Sequence, residues 1–507
     1  MKNIFKNSFY IVLITIAFFS GCTKKELRIQ TADQPAERLN REIAQIINNP
    51  HFSNAHWGVA IQSLQNGQII FMQNENKGFM PASNMKLFTT ATALVKLGPD
   101  YTFQTEIFRS GKIDQQGILR GDLVIQGSGD PSLGGRYIPE SERKDRMLDL
   151  FNSWAAQLKK QGIRSIQGRI VGDDNLFDDQ LLGRGWAWDD EPEWYAAQIS
   201  ALSFNDNCID IYFTPADTLN GPAKFEIYPQ TAYVQILNQV KTVADNQPQG
   251  IHFEKKRGTN QITVRGAVSI NAKEVKEWFA VENPSGFLVT VLKEVLEKQG
   301  IKVEGPGLDI DEIPGFAYFQ ADSTRLLKHQ SPPLKQIIQT VNKVSQNLWA
   351  ELLFRTLGAH FTESGKDSDG IDVLKSFLGE IGIDPAQIGI ADGSGLSRLN
   401  LVTPLQVITL LRFLHNHPYQ KDFYESLPIA GVDGTIKSRM RGTLAQNNVH
   451  AKTGFISRVR ALSGYVTSLD NEKFVFSLIT NNYTVPTSMA NNIQDLICER
   501  LANFSRK

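Results

Sequence analysis

A chain of 507 residues with 53 Lys+Arg against 53 Asp+Glu has room for about three domains. Its 41% apolar and 21% charged residues are ordinary globular composition and exclude extended disorder. The zero net charge excludes the basic surface that nucleic acid needs, so no nucleic-acid partner is expected.

Lys2 and Lys6 precede an apolar run from Phe9 to Phe19, followed by Ser20, Gly21 and Cys22. A basic start, a short apolar run and small residues predict a secretory signal peptide over residues 1–21. The run is too short for a membrane span, which takes about 20 residues. Ser20-Gly21-Cys22 resembles a bacterial lipobox, with Phe19 where Leu is usual, which implies lipidation of Cys22. Residues 22–37 are polar and aperiodic and read as a tether. The remaining cysteines, Cys208 and Cys498, are expected to be buried thiols rather than a disulfide. The absence of C-x-x-C and H-E-x-x-H spacings leads us to expect neither metal nor cofactor.

Leu39, Ile43, Ile46 and Ile47 mark one face of a first helix. Trp57–Leu64 and Gln68–Gln73 read as strands joined by Asn66-Gly67, a strong hairpin signal. A helix follows from near Ser83 to Leu97, ended by Gly98-Pro99. At the far end, 449–454, 460–468 and 473–481 read as strands, with a last helix over 488–504. The two chain ends therefore build one α/β (α+β) core. Between them, from about Tyr101 to Gln320, lie short strands and Gly-rich turns, with helices over 145–161 and 287–299. The expected division is a core of 38–98 and 323–507, a mainly β insert of 99–181 and 285–322, and a nested β-rich part of 182–284.

Three short motifs carry chemistry. They are Ser83-Asn84-Met85-Lys86 (S-x-x-K) at a helix start, Ser345-Gln346-Asn347 (S-x-N) and Lys452-Thr453-Gly454 (K-T-G) on a strand. On a helix, Ser and Lys three apart share a face, so the amine reaches the hydroxyl. Serine is a weak nucleophile until a base takes its proton, and lysine serves as that base only if burial or another cation lowers its pKa. Lys452 offers that cation. Ser345 can relay a proton to a leaving amine, and Asn347 can bond a peptide carbonyl. Thr453 and Lys452 suit a terminal carboxylate. The backbone N–H after Gly454, that of Phe455, can form an oxyanion site with the N–H of Ser83. S-x-x-K also occurs at Ser141–Lys144, which reads as an exposed helix start with Ser141 as its cap.

Longer strings resemble the D-Ala-D-Ala carboxypeptidase/endopeptidase family, the class C low-molecular-mass penicillin-binding proteins. They include Pro81–Leu87, Gly127–Pro131, Asn342–Asn347 with Ala350-Glu351, Asp392–Arg398, Val432–Thr435 and His450–Gly454. The resemblance implies a penicillin-binding/serine β-lactamase-like transpeptidase core with a large insert. It implies peptidoglycan stem peptides as substrates and β-lactam antibiotics as acylating ligands, while the lipobox-like Ser20-Gly21-Cys22 implies a lipid anchor at the bacterial envelope. The family resemblance also implies a recognition carboxylate in the insert, for which Asp173 is the match, and Arg398 as the basic residue facing it. Gln346 stands where the family often has Asp. Carboxypeptidase and endopeptidase both cleave after a D-Ala carbonyl, and the motifs serve either.

Three other readings compete. A Ser-His-Asp hydrolase lacks a G-x-S-x-G elbow; His450 is the one histidine beside a motif, sharing a strand face with Lys452. A serine β-lactamase shares the motifs but not the large insert. A non-catalytic peptidoglycan-binding lipoprotein would not need Ser83, Lys86 and Lys452 together.

Overall fold

Alternation of apolar residues decides how the chain ends combine. The computed structural model describes residues 34–135, 138–318, 323–362 and 364–507; the signal-peptide reading, Cys22 and most of the tether lie outside these. Within them, His56–Ser63 and Ile69–Gln73 join three strands from the far end in one antiparallel sheet. Its order is His450–Ile456, Val459–Thr467, Lys473–Asn481, His56–Ser63, Ile69–Gln73. Both faces are covered, so successive residues enter different cores. Phe474, Phe476 and Leu478 pack with Leu39, Ile43, Ile497 and Leu501 of the terminal helices Pro35–Ile47 and Thr487–Ala502. Val475 and Ile479 face Phe88, Leu353 and Leu411 of Met85–Leu97, Asn347–Phe361 and Pro404–His415. The first helix starts at Pro35, inside the expected tether, because proline suits the first helical turn.

After Leu97 the chain leaves this core and enters a second five-stranded sheet. The order there is Gly307–Asp309, Ile170–Asp173, Leu123–Gln126, Gln104–Arg109, Thr324–Gln330. Thr324–Gln330 was expected to open the returning core; it pairs instead with Gln104–Arg109 and closes the insert's sheet. Its mixed sequence, TRLLKHQ, carries no alternation that would assign it to either sheet. Helices Asp149–Lys160 and Pro284–Lys298 cover this sheet through Phe151, Leu158, Phe287 and Leu292. The helix expected over 145–161 is broken into Arg143–Arg146 and Asp149–Lys160 where Met147 turns into the core. Two three-stranded sheets lie between residues 208 and 280. Cys208 and Cys498 are both buried, as expected. Among the described residues no helix is long and apolar enough to cross a membrane.

Candidate active site

The nucleophile elbow is a strained turn. Ala82 has φ 46°, a left-handed conformation that costs roughly 1–3 kcal/mol for a residue with a Cβ. Ser83 follows in the short turn Ala82–Asn84 that leads into helix Met85–Leu97. Two glycines allow neighbours to reach this turn. A Cβ at Gly454 would stand 2.5 Å from the Pro81 carbonyl, and one at Gly395 (φ 84°) 1.9 Å from that of Ala82. Edge strand His450–Ile456 and loop 392–398 thus close on Ser83 from two sides.

Lys86 is fully buried one turn along. Its Nζ lies 3.0 Å from Ser83 Oγ, 2.6 Å from Asn347 Oδ1 and 2.7 Å from the Ser394 carbonyl. The last two groups can only accept. A neutral Lys86 spends its two N–H bonds on them, and its lone pair then faces Ser83, the one contact able to donate. Burial lowers its pKa from 10.5 to about 7, against the opposing pull of Glu351 and Asp392. Lys452 is also fully buried, and donates to Ser345 Oγ at 2.8 Å and the Thr453 carbonyl at 3.0 Å. Burial, then the charge of Lys86, pushes its pKa well down. Ser345 is itself held at φ 63°, just before the helix that Asn347 begins. Thr453 donates to the Thr435 hydroxyl at 2.7 Å.

Two buried carboxylates hold the loop carrying Ser394. Glu351 accepts from the N–H groups of Gly393 and Ser394 at 3.0 and 2.8 Å. Asp392 accepts from Gly395 and Ser397 N–H at 2.7 and 2.6 Å, from Asn400 at 2.6 Å and from the Trp186 indole at 3.0 Å. Burial, with Asp392 adding to it, raises the Glu351 pKa. Both residues lie in the family-like strings Ala350-Glu351 and Asp392–Arg398, with no role that the sequence alone assigns. Their signal is the pairing of Asp392 with a Gly-Ser-Gly turn, which frees backbone donors for a carboxylate.

The cleft in front of Ser83 has a volume of about 680 Å³. Ser345, Asn347, Thr453, Phe455 and Arg398 all border it, so the three motifs and the expected basic residue meet at one opening. Arg398 donates to the Ser457 carbonyl at 2.9 Å. Asp173 does not border the cleft. It ends a buried strand of the insert and accepts a hydrogen bond from the Tyr318 hydroxyl. The Asp173-Asp174 pair looks like an exposed turn in sequence, and its burial was not legible there. The carboxylate that reaches the cleft from the insert is Asp190, which accepts from the Tyr195 hydroxyl at 2.8 Å. Tyr195 also accepts at its backbone carbonyl from Asn347 Nδ2, at 2.7 Å.

The other motif candidates lie elsewhere. Ser141 sits in the exposed turn Glu140–Glu142, before helix Arg143–Arg146, and caps nothing. Glu142 takes the N-cap position of that helix, and Pro139 that of the turn before it. His450 stacks on Tyr424 with ring centres 4.0 Å apart and does not border the cleft. Asp174, Asp309 and Asp311 bring carboxylate oxygens within 4.8 Å of one another in the insert, away from the cleft.

Similarity to known proteins bears on this site. The D-Ala-D-Ala carboxypeptidase 3 (S13) family matches residues 39–504. A D-alanyl-D-alanine carboxypeptidase of an Actinomadura species is 34% identical over 92% of this chain and 85% of its own length. The carboxypeptidase DacB of Haemophilus influenzae is 30% identical over 86% of this chain and 87% of its own. The crystal structure of penicillin binding protein 4 from that organism superposes with a TM-score of 0.77 at 28% identity, over 91% of this chain and 99% of that one. A second structure of it is a complex with a β-lactam, with a TM-score of 0.72 at 26% identity over 91% of this chain and all of that one.

Proposed function

We propose, from the premise that this chain belongs to the D-Ala-D-Ala carboxypeptidase 3 (S13) family, a residue-by-residue mechanism for its activity. The chain is a serine D-Ala-D-Ala carboxypeptidase/endopeptidase, a penicillin-binding hydrolase of peptidoglycan stem peptides. The observation that carries the mechanism is the 3.0 Å contact between a buried, easily neutralised Lys86 and Ser83. Neutral Lys86 takes the Ser83 proton as Oγ attacks the penultimate D-Ala carbonyl. The backbone N–H groups of Ser83 and Phe455 receive the oxyanion. Ser345, with Lys452 behind it, passes a proton to the leaving amine. That amine belongs to the terminal D-Ala or to a cross-linking diamino acid. Thr453 and Lys452 hold the terminal carboxylate. Water then releases the acyl group from Ser83. A β-lactam enters by the same attack.

Asp190 replaces Asp173 as the carboxylate proposed to meet the free amine of a stem diamino acid, with Tyr195 and Arg398 beside it in the cleft. Signal-peptide cleavage before Cys22, lipidation of Cys22 and a site at the envelope's periplasmic face complete the reading, supported by the basic start, apolar run and Ser20-Gly21-Cys22. Two or more acyl chains anchor a protein stably, so Cys22→Ser should move it into the soluble envelope fraction. Fluorescent-penicillin labelling tests the chemistry. Wild type forms a lasting adduct, Ser83→Ala forms none and Ser141→Ala labels normally. Rapid turnover of the label would favour a β-lactamase, and labelling of Ser83→Ala would overturn the assignment.

A further inference from the structure

Beside the cleft lies a second, smaller recess of about 140 Å³. Its wall includes Ala187, which also borders the cleft, so the two lie against one residue. Trp188 forms one side and is 72% exposed, the most exposed large apolar side chain described. The indole has no ring or hydrogen-bond partner among the described residues. Single exposed apolar residues need no explanation by themselves. This one is set against a polar rim, however. Arg257 reaches in from the turn between strands Gly250–Lys255 and Gln261–Ser269 and pairs with Glu191 at 2.5 Å. Trp186, which also lines the recess, is tied by its indole N–H to Asp392 at 3.0 Å. The recess is thereby fixed to the loop that holds Lys86.

An exposed indole face beside a paired guanidinium and carboxylate is chemically suited to a pyranose ring. The C–H face of a sugar stacks on the ring, and its hydroxyl and acetamido groups meet Arg257 and Glu191. Resting on the peptidase reading above, we infer that this recess binds an N-acetylated amino sugar of the glycan strand to which the stem peptide is attached. The volume, about a fifth of the 680 Å³ cleft, suits one sugar unit rather than a chain.

The test compares a stem pentapeptide with the same peptide on its disaccharide, using the whole enzyme and following D-Ala release. Wild type should prefer the sugar-bearing substrate. In Trp188→Ala, KM for that substrate should rise about tenfold, equivalent to ~1.4 kcal/mol. The bare peptide and penicillin acylation should stay within about twofold, since the indole lies outside the cleft that holds them. Arg257→Ala should act in the same direction, and Trp188→Phe should keep part of the preference. Equal wild-type kinetics on both substrates, or equal losses on both in Trp188→Ala, would overturn the inference. Failure of wild type to release D-Ala from either substrate would instead overturn the peptidase reading.

Discussion

The pH at which Lys86 can act as a base follows from its burial. At an ordinary pKa of 10.5, about one lysine in three thousand is neutral at pH 7, whereas at about 7 roughly half are. The site thus gains about three decades of reactive base with no change in geometry. Because the neutral amine is the active form, acylation should rise about tenfold per pH unit up to a midpoint near 7, then level off. Lys86→Arg keeps donors for Asn347 and Ser394 but stays protonated, so it should lose about 10³ or more in acylation rate and the pH limb with it. Stopped-flow acylation by a chromogenic β-lactam, in single turnover from pH 5 to 9, isolates this step from deacylation. A flat profile, a midpoint above pH 9, or an Arg variant within tenfold of wild type would exclude neutral Lys86 as the base.

Three further outcomes are expected. Asp190→Asn should lower kcat/KM for amine-bearing stem peptides about tenfold, as fits one partly desolvated ion pair, while Asp173→Asn leaves it unchanged; peptide kinetics of the two variants decide between them. Asp309 is lifted to about 7 by burial and then by Asp174, so its contribution to stability is full below its ordinary pKa of 3.8 and is lost as pH rises through 7. Asp309→Asn should therefore raise Tm at pH 8 more than at pH 5, and equal shifts in thermal melts at both would contradict this. Arg355, fully buried, pairs with Asp178 at 2.6 Å and Asp367 at 2.9 Å. Arg355→Met strands both carboxylates and should cost about 3–5 kcal/mol in denaturant unfolding, against under 1 if the cluster is solvated.

Much of the core could be read from residues alone. The hairpin at Asn66-Gly67, the strands flanking Lys452 and the terminal helices follow local periodicity, and each motif is contiguous in sequence. What escaped has a common cause. The pairing of Thr324–Gln330 with Gln104–Arg109 joins residues more than two hundred positions apart, and nothing in either strand names its partner. Asp190 lies in an aromatic-rich loop without a motif, and it reaches the cleft only because the insert folds that loop over Asn347. Asp173 is matched by family resemblance alone, and nothing in its neighbourhood in sequence shows that the fold buries it against Tyr318. Glu351 and Asp392 act through backbone N–H groups, so the Asp392-Gly393-Ser394-Gly395 turn hints at the second while nothing local in sequence ties Glu351 to it.

Asn347 links these two levels. Its Oδ1 accepts from Lys86 at 2.6 Å, and its Nδ2 donates to the Tyr195 carbonyl of the insert at 2.7 Å. One amide therefore ties the base to the loop that carries Asp190. A carboxamide can do this because it offers an acceptor at one end and donors at the other. A carboxylate at 347 would repel the Tyr195 carbonyl and favour the charged form of Lys86, removing the base at neutral pH. A hydroxyl would be too short to bridge both partners. The chain departs for the insert just after the nucleophile helix and returns through one core helix, Leu334–Lys343, to Ser345. The insert's approach to the cleft and the protonation state of Lys86 consequently meet on a single side chain. Displacing the loop would then disturb the acylation step as well as peptide recognition.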